Sequence, residues 1–194
     1  RLICSDLNKY PTHFQHVVSY TDYLKAREQG KIACWISIQG GQAIDNNLEN
    51  LDHIPEVHRI TLLHFTRSAI GASSFDLPNQ RLGLSNFGRA FVEKMVANRI
   101  LVDLAHINRQ GFFDALDVVK DVPVIVTHTG VRGICDIWRN LDDEQIRAIS
   151  QTGGTIGIMY QASFLAKKRK ERTVDQIIAH LAHVIQVAGE DCVS

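Results

Sequence analysis

No apolar run in this sequence approaches the roughly 20 residues a membrane-spanning helix requires, so no membrane span is expected. Charge of one sign is missing as well. The 21 Lys and Arg balance 21 Asp and Glu, and a formal net charge of +0 leaves no field to attract nucleic acid or an anionic membrane. Cysteine is scarce: Cys4, Cys34, Cys135 and Cys192 are scattered without a CxxC pair, which argues against a zinc knuckle or a redox motif. Cys34 and Cys192 lie in or beside apolar runs and read as buried thiols. The chain opens on Arg1 without a charged, apolar and small-residue leader, and with unpaired thiols this points to a reducing, cytoplasmic setting. The one local cluster of charge, Lys167 to Lys170, runs on into Glu171 and Arg172 and reads as a solvated face at a helix start.

What is present suits a single domain over residues 1–194 with one sizeable core, at 45% hydrophobic and 22% charged. Residues 1 to about 29 read as helical, interrupted at Pro11 and ended by Gly30. Strands then alternate with helices. Strand patterns fall at about 32–38, 59–63, 100–104, 122–126 and 154–159, and helical patterns at 45–53, 86–98, 108–119, 142–151 and 173–188, the last with Thr173 as N-cap and Gly189 as terminator. Repeated strand–helix–strand spacing predicts an α/β fold with a parallel sheet covered by helices. Five such units, with Asp191 to Ser194 resembling the start of a sixth strand, are too few to close an eight-stranded barrel. Residues 67 to 84 show no period, and a loop that long behind a strand points to function.

Two of the strands end in histidine: Ile100 to His106 and Val122 to His128, one helix apart. Buried parallel strands deliver side chains to the carboxyl rim of the sheet, where α/β proteins place their chemistry, and two imidazoles delivered that way can hold one metal ion. Arg59 to His64 is a third apolar run ending in histidine, and Trp35 to Gln39 ends in a polar residue before Gly40 and Gly41. The reading requires the imidazoles of His64, His106 and His128 to meet around a common point.

At the level of motifs the chain resembles the renal or membrane dipeptidase family, zinc-dependent peptidases on an amidohydrolase-like (β/α)8 TIM barrel. The matching stretches are Ile38–Asp45, Thr61–His64, Gly83–Arg89, Val102–His106, Thr127–Arg132, Arg139–Glu144 and Gly153–Gly157, in family order across residues 30 to 194. The resemblance implies a partial TIM barrel of about five to six βα units and a chemistry in which metal-activated water hydrolyses a dipeptide or another small carboxylate-bearing substrate. It implies His106 and His128 as zinc ligands, His64 as the catalytic and substrate-binding group beside the tetrahedral intermediate, and Arg139 as the clamp on the substrate carboxylate, a task suited to a planar fork of donors.

Three departures accompany the resemblance. Gln39 stands where active members carry a glutamate bridging two zinc ions, and an amide brings no negative charge to separate two dications. No His-x-Asp ligand pair occurs in residues 1 to 29; His13 and His16 have the wrong spacing and read as surface or structural. The aspartate that handles the proton of the attacking water in the family would fall beyond Ser194. Against two zinc ions in active members, the resemblance with these departures leads us to expect none or one here, with impaired turnover. A non-catalytic relative that keeps the cleft, and another metal-dependent hydrolase of the same barrel group, stay open as readings. The apolar face of the last helix and the unfinished sheet edge suggest a homo-oligomer.

Overall fold

Parallel pairing runs through every named strand of the computed structural model, which describes residues 2–76 and 81–194. Strand β1 (Phe14–His16) pairs with β2 (Ile32–Cys34), β3 (Ile36–Gln39) with β4 (Val57–Thr61), β4 with β5 (Leu101–Asp103), and β6 (Val126–Thr129) with β7 (Ile156–Ile158). A bridge between Asp103 and Ile125 joins β5 to the β6 segment, and one between Ile156 and Val193 brings the chain end beside β7. The sixth strand expected at 191–194 thus makes its first ladder contacts, Ser194 N–H to Ile156 O and Ile158 N–H to Ser194 O.

Helices α3 (Asn86–Ala97), α4 (Arg109–Val119), α5 (Asp143–Gln151) and α7 (Val174–Ala188) follow the strands. Each starts where its capping chemistry dictates. Ser85 and Asn108 accept hydrogen bonds from the backbone N–H groups of Gly88 and Gly111, and Asp142 forms a reciprocal capping box with Gln145. Thr173 holds the N-cap position of α7, but its side chain makes no capping hydrogen bond. The inward faces of these helices and the strands share one core in which Phe91, Phe112, Ile60, Leu62, Ile146 and Ile156 are fully buried. Emptying a position such as Phe112 costs about 3–5 kcal/mol.

The amino-terminal reading needs correction. Helices α1 (Leu2–Leu7) and α2 (Tyr20–Glu28) flank a strand, so residues 1–29 are not helical throughout. The run 32–38 divides at Trp35 into β2 and β3, which pair with different partners. In place of one helix over 45–53, the chain forms two 3-10 turns, Gly41–Ile44 and Leu48–His53. The strand placed at 122–126 begins at Val126, beyond Pro123, which has no N–H to give a ladder. A short helix α6 (Ala162–Leu165) was not foreseen.

The long segment between β4 and α3 has no regular element in its described part but is tied down by bridges from Gly71 to Leu84 and from Ser73 to Ile107; residues 77–80 of the expected loop lie outside the described residues. Residues 167–170 are exposed, as a solvated face requires. Cys192 is buried, whereas Cys34 is only half-buried, and all four thiols are free. Among the described residues no helix is long and apolar enough to cross a membrane.

Candidate metal centre and its surroundings

At the carboxyl ends of β3 to β7 a cavity of about 440 Å³ is lined by Gln39, His64, Phe65, His106, His128, Met159, Gln161 and Phe164. The three sequence-predicted histidines meet there. The Nε2 atoms of His106 and His128 lie 2.7 Å apart, and the His64 ring stands edge-on to that of His106 with centroids 4.9 Å apart. The amide nitrogen of Gln39 is 3.4 Å from His106 Nε2. His13 and His16 take no part: His13 touches Thr12, and His16 Nε2 meets the backbone carbonyl of Glu56 at 3.0 Å.

Burial sets the protonation of the pair. It holds His106 down to about 3, helped by the positive charge of Arg139 and by His128 and His64, and it lowers His128 with Arg139 as the next cause. Both rings are therefore neutral near pH 7, the form in which imidazole binds a metal. The backbone that presents each of them is held by local chemistry. His106 has a left-handed φ of 67°, and its carbonyl accepts from Ser74 N–H at 2.7 Å. Beneath His128, Thr127 Oγ1 lies 2.8 Å from His128 Nδ1 and 2.7 Å from Asp103 Oδ2.

Asp103 organises the floor. Its fully buried carboxylate accepts hydrogen bonds from Arg59, from the Thr61 hydroxyl at 2.6 Å, from the Thr127 hydroxyl, and from the N–H groups of Ala105 and Thr127 at 3.0 and 3.1 Å. Five donors on one carboxylate satisfy the charge that burial would otherwise penalise. Sequence reasoning passed over this residue, although an aspartate inside the apolar run 100–104 was the available signal. Phe65, Met159, Gln161 and Phe164 were also passed over, and nothing in their local sequence marks them.

Arg139 is placed differently from the histidines. It lines a neighbouring cavity of about 340 Å³ with Arg109, Arg132, Trp138 and Gln145, among others. It is 4% exposed, donates to the His128 carbonyl at 2.8 Å, and keeps its Nε buried without a hydrogen-bond partner. Burial lowers its pKa to about 10, so the guanidinium stays charged at neutral pH. A buried cation with an unused donor is prepared for an anion.

The profile of the family described as membrane dipeptidase (peptidase family M19) matches residues 2–194. The chain belongs to that family. An uncharacterized dipeptidase of Schizosaccharomyces pombe is 32% identical over 197 residues, spanning 97% of this chain and 46% of that protein. The crystal structure of an amidohydrolase from Pseudomonas aeruginosa superposes with a TM-score of 0.87 at 25% identity, covering 100% of this chain and 59% of that one. A metallo peptidase from Rhodobacter sphaeroides, liganded with a phosphinate mimic of the dipeptide L-Ala-D-Ala, has a TM-score of 0.80 at 23% identity and covers 93% of this chain and 54% of its own. The chain thus spans about half to three-fifths of the length of these relatives, and its parallel βα units are part of an amidohydrolase-type barrel.

The donor set fits a metal in part. Two neutral imidazoles converge with their Nε2 atoms, which suits zinc. Among the described residues no group of three or more His, Cys, Asp and Glu side chains is arranged to complete the shell.

Proposed function

We propose that this chain carries the two-histidine half of a metal-dependent dipeptidase centre, with His106 and His128 as ligands of a single zinc ion and Gln39 as a weak neutral neighbour. The observation that carries the reading is the convergence of the His106 and His128 Nε2 atoms to 2.7 Å inside a cavity that Gln39 and His64 also line. When bound, the ion would polarise the scissile carbonyl and lower the pKa of an attacking water.

The chain's own residues supply positioning and charge. His64, half-buried against Phe65 and His106, faces the cavity where an oxyanion would develop and can donate to it from its ring. Arg139 supplies the carboxylate clamp through its unused Nε, which selects substrates with a free terminal carboxylate. The dipeptide mimic held by the Rhodobacter relative supports a dipeptide as the substrate class. Self-association through the exposed Val174, Ile178 and Ile185 of α7 belongs to the same proposal, with sedimentation velocity as its check.

Metal analysis of the purified protein, paired with hydrolysis of dipeptides and of their carboxamide analogues, tests this function. The expected result is at most one weakly held zinc per chain and low turnover that vanishes with the amides. Two tightly held zinc ions with fast turnover, or equal turnover of acids and amides, would overturn it. The amide at position 39 also favours a second reading, a non-catalytic relative that binds carboxylate ligands; ligand binding undiminished by chelators, without hydrolysis, is its signature.

A further inference from the structure

The Thr127 hydroxyl has one proton and two polar neighbours, Asp103 Oδ2 at 2.7 Å and His128 Nδ1 at 2.8 Å. A carboxylate can only accept, and two oxygens at 2.7 Å without a proton between them repel, so the hydroxyl gives its proton to Asp103. Its oxygen can then only accept from His128, which fixes the His128 proton on Nδ1 and leaves the Nε2 lone pair bare.

We propose that Asp103, acting through Thr127, is a positioning residue that locks His128 into the Nδ1–H tautomer and presents its bare Nε2 to the cavity, which makes it the preset member of the histidine pair. Asp103 is suited to the role because it cannot relax. It is fully buried, and Arg59 and Thr61 from β4, the Ala105 N–H from the turn after β5 and the Thr127 N–H from β6 hold both oxygens. Removing the Thr127 hydroxyl leaves those other donors in place, so the carboxylate stays compensated while the link to His128 is cut. The metal half of the inference rests on the proposed function; the tautomer half does not.

The test is two-bond proton–nitrogen correlation spectroscopy on metal-free protein labelled with ¹⁵N-histidine, comparing the native protein with Thr127→Val and Thr127→Ser, each confirmed folded by its amide spectrum. The expected pattern is Nδ1–H for His128 in the native protein and in Thr127→Ser, shifting to Nε2–H or a mixture in Thr127→Val. Zinc competition titrations should show an affinity about 10- to 100-fold lower in Thr127→Val and near-native in Thr127→Ser. His128 remaining Nδ1–H in Thr127→Val, or Thr127→Ser behaving like Thr127→Val, overturns the inference. Zinc binding absent from every variant while the tautomers follow the expected pattern overturns the proposed metal site and supports the relay.

Discussion

Phe65 and His106 meet edge-on, ring centroids 5.0 Å apart, and both hold a left-handed backbone with φ of 53° and 67°. A residue bearing a Cβ pays about 1–2 kcal/mol for that conformation. The Phe65 turn is held in place by Ser73, whose hydroxyl donates to the Phe65 carbonyl at 2.6 Å. Strain of this kind collects where a structure must present particular side chains, and here it presents a ring beside a candidate ligand.

The strain yields an inverted stability order. Phe65 is 50% exposed, so truncating it removes only part of an aromatic burial. Phe65→Ala keeps the unfavourable φ and loses the ring, whereas Phe65→Gly loses the ring and relieves the backbone. The glycine variant should be more stable than the alanine variant by about 1 kcal/mol in urea unfolding, opposite to their order in a helix. Both should weaken zinc binding to a similar degree, since both remove the wall beside His106. An alanine variant as stable as the glycine variant would show that no strain is stored at this turn.

How much of this was legible in the sequence depends on whether a feature is local or made by contact. The helices α3, α4 and α5 could be read to within a residue because their apolar residues recur at helical spacing, while the caps Ser85, Asn108 and Asp142 that start them came with the structure. Strand β1 was missed because three residues, Phe14 to His16, carry no period of their own and become a strand only through pairing with β2. The meeting of His64, His106 and His128 followed from parallel strands ending level with one another. The burial of Arg139 did not follow, since a residue's side of a loop is fixed by packing. Asp103 was visible as a misplaced charge, but its partners Arg59, Thr61 and Thr127 come from other strands.

The packing of α3 predicts a destabilising alanine. A Cβ added at Gly88 would sit 2.0 Å from the Ile70 carbonyl oxygen, which belongs to the backbone and cannot swing aside. Helix propensity alone favours alanine by about 1 kcal/mol. Overpacking opposes it by about 1–3 kcal/mol, and α3 must shift away from the segment that carries Ile70 to Ala72. Gly88→Ala should therefore lower stability, by up to about 2 kcal/mol. Gly111→Ala, which meets the movable Ile107 Cδ1 at 2.9 Å, should cost less. Equilibrium unfolding of the two variants compares them directly, and a stabilised Gly88→Ala would contradict the close approach.

His180 predicts how stability varies with pH. Fully buried on α7, it accepts the Val131 N–H on Nδ1 at 2.9 Å and donates from Nε2 to the Leu165 carbonyl at 3.0 Å, tying α6 and the loop after β6 to the helix. Burial lowers its pKa, the nearby His183 adds in the same direction, and the Leu165 carbonyl opposes. A lowered pKa in the folded state means that the unfolded chain binds more protons in the window below about 6.5. Its contribution is complete above that value and is lost as pH falls toward the folded-state pKa. Between pH 7 and pH 5 the denaturation midpoint should drop, and His180→Gln, which keeps an acceptor and a donor but does not titrate, should flatten the slope. His58, His106 and His128 are lowered too, so the slope shrinks without vanishing. Identical slopes in the two proteins would remove His180 from the account.

Gln39 offers the most direct control over the histidine pair. Its side chain ends 3.4 Å from His106 Nε2, so Gln39→Glu places a carboxylate beside the ring without changing the length of the side chain. In the metal-free protein that charge should raise the pKa of His106 from its depressed value near 3, because an opposite charge at this distance favours the imidazolium. Toward zinc the new oxygen supplies the anionic donor that the amide lacks. Position 39 is exposed, so solvent screens part of the attraction, and the expected gain in zinc affinity is about tenfold, equivalent to roughly 1.4 kcal/mol. Histidine titration by NMR and zinc competition read the two effects separately. A raised His106 pKa with unchanged zinc affinity would mean that the His106–His128 pair is not where the ion binds, whereas a gain in affinity without turnover would favour the non-catalytic relative over the dipeptidase.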